Sequence, residues 1–231
     1  MPQKVIYYPH PRMYLTILAV LLFIIAILFF FGVIGIAFNK IGLSSGVVII
    51  ILIGTLLGST VNIPLFKMRS TIPIVRTQEV NFYGLTFKIP TISEGINYTT
   101  ISINLGGAII PIIVSTYILI KNPDSLLFGV VSITIVTLIT HLVAKPRPGI
   151  GIVSPAFVSP IVAALTALLL PIPSLHRPIV AYVGGVIGTL IGADLTNLHK
   201  ISVLGAPVAS IGGAGTFDGI FLSGILAAIL A

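Results

Sequence analysis

From Tyr14 to Phe38 the chain carries no charged residue. A helix that is apolar on every side has no face for water, and one this long needs a surround as thick as a bilayer, about 18 residues or more. Comparable runs recur at 46–65, 101–120, 125–144, 153–172, 178–194 and 209–231. They predict an all-α fold, a polytopic transmembrane helical bundle of about seven spans. Residues 1–231 read as a single integral membrane domain in the cell membrane. The first run is too long for a signal-peptide core and lacks a small-x-small cleavage site, so it reads as a retained span.

Composition agrees. The chain is 56% hydrophobic and 7% charged, with mean hydropathy +1.18. It cannot build the charged coat of a soluble domain. The net charge of +7 would suggest nucleic acid in a soluble protein. Here the basic residues sit between apolar runs, which is the pattern that orients a membrane protein, and nucleic acid is not expected as a partner. With the N-terminus in the cytoplasm, the inner side holds Lys4, Arg12, Lys67, Arg69, Arg76, Lys88, Lys145, Arg147 and Lys200. The outer side holds Lys40, Lys121 and Arg177. Nine against three sets the orientation. The chain has no cysteine, which excludes disulfides, thiolate metal sites and thiol catalysis.

One connection is long. In residues 66–100, Val80 and Phe82, then Leu85, Phe87 and Ile89, alternate with polar neighbours about Tyr83-Gly84. That period predicts a small cytoplasmic β-hairpin; the alternative is an ordered loop on the membrane surface.

Two phrases repeat. Ile53-Gly54-Thr55-Leu56-Leu57-Gly58-Ser59 matches Ile187-Gly188-Thr189-Leu190-Ile191-Gly192-Ala193, and Gly106-Gly107-Ala108 matches Gly212-Gly213-Ala214. Both members of each pair would run in the same direction. This suggests a parallel duplication, residues 1–120 and 153–231, with the fourth span as a linker.

Of five acidic residues, two belong to apolar spans. Asp194 comes 17 residues after Arg177, about 25 Å along a helix. Asp218 comes 13 residues before Ala231, about 20 Å from the outer face. In a hydrocarbon core of about 30 Å both fall in the cytoplasmic third. A carboxylate there costs on the order of 3 kcal/mol unless it faces protein or water. Two in contact share a proton, so one can activate water while the other protonates a leaving group. The structural alternative makes both residues caps, Asp194 after span six and Asp218 for a helix beginning near Gly219.

Other polar groups are sparser. Asn62 ends span two, and Asn104 precedes Gly106-Gly107 in span three. They fall near the positions of Asp194 and Asp218 in the second half. With Gly213 and Gly215 they are the candidate substrate-binding residues beside the candidate catalytic pair Asp194 and Asp218. His141 reads as an interfacial, hydrogen-bonded residue. No metal-ligand spacing and no phosphate loop occurs, so no metal and no cofactor are expected.

Across spans four to seven the sequence resembles an uncharacterised family of archaeal and bacterial membrane proteins. The residues carrying this are Lys145-Pro146-Arg147-Pro148-Gly149-Ile150-Gly151-Ile152, Gly192-Ala193-Asp194-Leu195-Thr196-Asn197-Leu198, and Gly205-Ala206-Pro207 through Gly212-Gly213-Ala214-Gly215-Thr216-Phe217-Asp218-Gly219-Ile220-Phe221-Leu222. That resemblance implies membership and no activity. A second resemblance is to presenilin-type intramembrane aspartyl proteases, whose second aspartate sits in a Gly-x-Gly-Asp phrase before an apolar, Phe-containing helix. Here Gly213-Ala214-Gly215 precedes Asp218 with two residues between, and Asp194 takes the place of the first aspartate. The tyrosine before that first aspartate is replaced by Ala193, and the Pro-Ala-Leu element of that family is missing after Asp218.

Three functional readings follow. The first is an aspartyl-protease-like hydrolase acting on a transmembrane-helix substrate, with membrane lipid as its surround. The second is an ion- or proton-coupled transporter or channel-like protein. The third is a non-catalytic scaffold or complex subunit.

Overall fold

Every apolar run contains a helix, but in three of them a strand replaces part of it. The computed structural model describes residues 11–70, 75–82, 85–92, 98–147, 151–203, 205–213 and 219–231. In chain order the elements are α1 (Pro11–Lys40), α2 (Ser45–Gly58), β1 (Asn62–Arg69), β2 (Val75–Phe82), β3 (Leu85–Ile92) and β4 (Tyr98–Asn104). A π-helical turn, Leu105–Ile109, leads into α3 (Ile110–Lys121), followed by α4 (Leu126–Val143), β5 (Lys145–Arg147), β6 (Gly151–Val153) and α5 (Val158–Leu169). Then come α6 (Arg177–Val183), π-helical turns at Gly184–Gly188 and Leu190–Asp194, a 3-10 stretch Leu195–Val203, β7 (Val208–Ile211) and α7 (Gly219–Leu230).

The fold is mostly helical, as expected, but it holds small sheets beyond the one hairpin that the sequence predicts. β1, β4 and β7 form one sheet in that order, β1 antiparallel to β4 and β4 parallel to β7. The physical reason is local. Ser59 and Thr60 turn their hydroxyls back onto the Leu56 and Leu57 carbonyls at the end of α2. Pro64 then forbids further helix, because it lacks an N–H and its ring crowds the preceding turn. It sits beside a register shift in β1, an edge strand, where proline is tolerated. Asn104 ends β4 and caps the following helical turn, accepting a 2.7 Å hydrogen bond from the Gly107 N–H. The expected strands about Tyr83-Gly84 are β2 and β3, antiparallel from Val75↔Ile92 to Phe82↔Leu85. A second small hairpin, β5–β6, was not expected.

Among the described residues, three segments are long and apolar enough to cross a membrane: Met13–Lys40, Pro123–Val143 and Ser174–Val203. Ser45–Gly58, Leu105–Lys121, Val158–Leu169 and Gly219–Leu230 are apolar but shorter. The long ones differ in surroundings. The most apolar window of Ser174–Val203 is 72% buried, and that of Met13–Lys40 is 6% buried. So α6 and its continuation form the centre of the bundle, while α1 packs only through residues near its end such as Ile34, Ala37, Phe38 and Ile41.

Small residues let the central helix approach its neighbours. Gly184, Gly188 and Gly192, four apart, face Ser132, Val136 and Thr140, also four apart on α4. A Cβ on Gly188 would lie 2.7 Å from Val136 Cβ, and one on Gly192 only 2.5 Å from the Thr137 carbonyl oxygen. Gly185 meets Ser223 and Gly224 of α7 in the same way. Close backbone approach of this kind is how helices associate where burial of apolar surface gives no drive. Gly192→Ala has to push backbone away, so it is expected to destabilise the protein by about 1–3 kcal/mol. Gly35→Ala, which meets nothing within 4 Å, is expected to be near neutral. Reversible unfolding in detergent compares the two.

The repeated phrases have different surroundings. Gly58 packs on the Gly106 backbone, whereas Gly192 packs on α4. The two double-glycine phrases, however, lie together: a Cβ on Gly212 would sit 2.5 Å from the Ala108 Cβ.

Candidate functional site

The site begins where the central helix loosens. Past Val183 the chain widens into two π-helical turns, and Asp194 is the last residue of the second. Such turns inside helices are frequent at functional sites. After Asp194 the chain tightens into a 3-10 stretch, which leaves helix carbonyls without their usual partners. Asn197 supplies them. It is fully buried, and its Nδ2 donates to the Gly192 and Ala193 carbonyls, at 3.0 Å each. Lys200 Nζ in turn donates to Asn197 Oδ1 at 2.6 Å. The Thr196 hydroxyl donates to the Gly192 carbonyl at 2.8 Å and lies 2.8 Å from His141 Nδ1. His141 is thus hydrogen-bonded, in line with its sequence reading, and it braces α4 against the end of the central helix.

Asp194 itself is half-buried. Its Oδ2 accepts a hydrogen bond from the Gly212 N–H at 2.8 Å. Gly212 and Gly213 have φ of 82° and 77°, a left-handed pair that only glycine adopts without strain. The pair turns the chain just after β7 and aims that N–H at the carboxylate. Asp194 also lies in the wall of a cavity of 480 Å³. The other walls are β6 with Ser154, β7, Gly213 and the first residues of α7. Polar groups in this lining include Thr189, Ser154 and Ser210. Thr189 is further tied to Ser223 of α7, hydroxyl to hydroxyl, at 3.1 Å. β7 pairs with β4 on one side only, and β6 with β5 on one side only, among the described residues. Both strands contribute residues to the wall of the cavity that holds Asp194.

Of the residues singled out from the sequence, Asp194 and Gly213 come together here. Asp218 and Gly215 lie outside the described residues, as does the separation of the two aspartates. Asn62 and Asn104 are in the sheet, not in the cavity wall. Asn104 is fully buried and donates to the Ser59 carbonyl at 2.7 Å and to Asn62 Oδ1 at 3.1 Å. Asn62 Oδ1 also accepts from Ser210 Oγ at 2.6 Å. The two asparagines thus stitch β1, β4 and β7 together, and Ser210 connects this junction to the cavity. Sequence reasoning missed Asn197, Lys200 and Ser210. An Asn four and five residues past small helix residues is the signal that could have found Asn197. Among the described residues, no three His, Cys, Asp or Glu cluster as metal ligands.

A family model matches residues 56–230. The chain belongs to that family, described as proteins of unknown function (DUF1614). The match takes in both aspartates, both asparagines and every wall of the cavity, and it begins after α1. No curated protein and no solved structure matches the chain.

Proposed function

We propose that this family member is a multi-pass membrane protein acting as an aspartyl-protease-like hydrolase, with Asp194 and Asp218 as its catalytic pair. The observation that carries the reading is a half-buried carboxylate in the wall of a 480 Å³ cavity whose walls include β6 and β7, each paired on one side only among the described residues. Peptide bonds of a membrane helix are hidden in its own hydrogen bonds, so a substrate helix must unwind before water can attack it. A free strand edge offers the unwound segment replacement partners. On this reading Asp194 acts on a strand held along β7. One carboxylate takes a proton from water as it attacks the carbonyl, and the other gives its proton to the departing amine. The Gly213-Ala214-Gly215 phrase before Asp218, similar to that of presenilin-type proteases, supports the same assignment. Cleavage of a helical reporter by the purified protein in liposomes tests it. Wild-type protein is expected to cleave, and Asp194→Asn to be inert.

One observation favours a coupled transporter instead. The central helix is interrupted at Gly184–Gly188 and Leu190–Asp194, and interrupted helices beside a carboxylate frame many ion sites. On that reading Asp194→Asn abolishes driven uptake and leaves exchange intact. On the scaffold reading Asp194 is only the latch that receives the Gly212 N–H.

The membrane arrangement we propose has seven crossings with the N-terminus inside. The four shorter apolar helices, such as the 14 residues of α2 at about 21 Å, are counted as crossings by their apolar runs rather than by length alone, against a core of about 30 Å. Cysteines placed at Glu79 and Ala231 are expected to label from opposite faces of sealed vesicles. Labelling from one face refutes the odd number of crossings.

A further inference from the structure

A second cavity, of 470 Å³, adjoins the first at β6. Val153 and Ser154 line both cavities. This second one also holds Leu142, Lys145 and Arg147. The two cations alternate along β5, so both side chains stand on one face of the strand. No carboxylate lines the cavity, and neither cation has a hydrogen-bond or ion-pair partner among the described residues. Two like charges side by side with no counter-charge leave an unfilled demand for an anion. Their depth names the anion. Pro123–Val143 is long and apolar enough to cross a bilayer, and Lys145 and Arg147 follow its end directly. That is the level of lipid headgroups. Just before them Leu142 is 77% exposed, an apolar surface on the hydrocarbon side of the same cavity.

We propose that this cavity binds one anionic phospholipid. Its phosphate lies between Lys145 and Arg147, with the Ser154 hydroxyl as a further donor, and an acyl chain runs along Leu142. Basic pockets beside membrane helices have this chemistry, and the attraction is on the order of a few-fold to tenfold in affinity per cation. The proposal rests on α4 crossing the bilayer and is independent of any hydrolysis at Asp194. The bound lipid lies against Val153 and Ser154, which also line the Asp194 cavity.

Native mass spectrometry of the protein released from nanodiscs tests it. From mixed phosphatidylcholine and phosphatidylglycerol, wild-type protein is expected to retain one phosphatidylglycerol per chain. Lys145→Gln/Arg147→Gln should bind it about tenfold to thirtyfold more weakly, and each single change should fall between. Lys67→Gln/Arg69→Gln, which removes two exposed cations on β1, should retain it as the wild type does. Equal retention of the two lipids overturns the proposal. So does unchanged retention in either single β5 variant, which keeps the test valid should the double variant not fold. Equal loss in the β1 control points to diffuse attraction and overturns the site. Displacement by inorganic phosphate at constant ionic strength assigns the cations to a free anion and overturns the lipid.

Discussion

Asp218→Asn is expected to abolish reporter cleavage as completely as Asp194→Asn, by at least about 10³-fold, and the double variant to be no worse than either. The reason is chemical. Asparagine keeps the size and hydrogen-bonding reach of aspartate but can neither take a proton from water nor return one to the leaving amine. When one group of a proton-sharing pair is lost, the other has no partner to work with, so the second substitution removes nothing further. Asp194→Asn also keeps an acceptor for the Gly212 N–H, so the turn after β7 should survive. Loss of cleavage with unchanged unfolding is therefore the expected combination. Cleavage retained in Asp218→Asn ends the hydrolase reading. Loss of stability alone, by about 1 kcal/mol, would instead fit a cap.

The largest effect on stability is expected at Asn104, not at either aspartate. Asn104→Ala removes three hydrogen bonds from a residue with no solvent exposure. It leaves the Gly107 N–H and the Ser59 carbonyl, both buried in a close backbone crossing, without that partner. Buried groups left unpaired cost about 1–3 kcal/mol each, so a loss of about 3 kcal/mol is expected in reversible unfolding in detergent. Asn62 is exposed and contributes one acceptor to the same junction, so Asn62→Ala should cost about 1 kcal/mol. A smaller loss at Asn104 than at Asn62 would contradict the stitching role of Asn104.

The apolar segments and the β2–β3 strands were legible in the sequence, because one depends on uninterrupted hydrophobicity and the other on a clean alternation about Tyr83-Gly84. The sheet was not. β1, β4 and β7 lie in or beside apolar runs, and hydropathy cannot tell an apolar strand from an apolar helix. Finer marks were present. Pro64 breaks any helix through 46–65, and Thr99 to Ile103 is dominated by β-branched residues. With those strands unseen, Asn62 and Asn104 read as ligand groups rather than as cross-strand ties. Asp194 was legible for the opposite reason. A carboxylate among apolar residues demands polar partners, and the structure supplies the Gly212 N–H, in a cavity whose lining also includes Thr189, Ser154 and Ser210. The Lys145 and Arg147 pair served for orientation and for the family resemblance and not as a site, since nothing in their spacing reveals a cavity between α4 and β6.

The central claim is that Asp194 works with Asp218, and its most direct measurement is their separation in an experimental structure in lipid nanodiscs. The account predicts carboxylates within direct or one-water hydrogen-bond reach, beside the open edge of β7. Carboxylates more than about 10 Å apart cannot share a water and would contradict it.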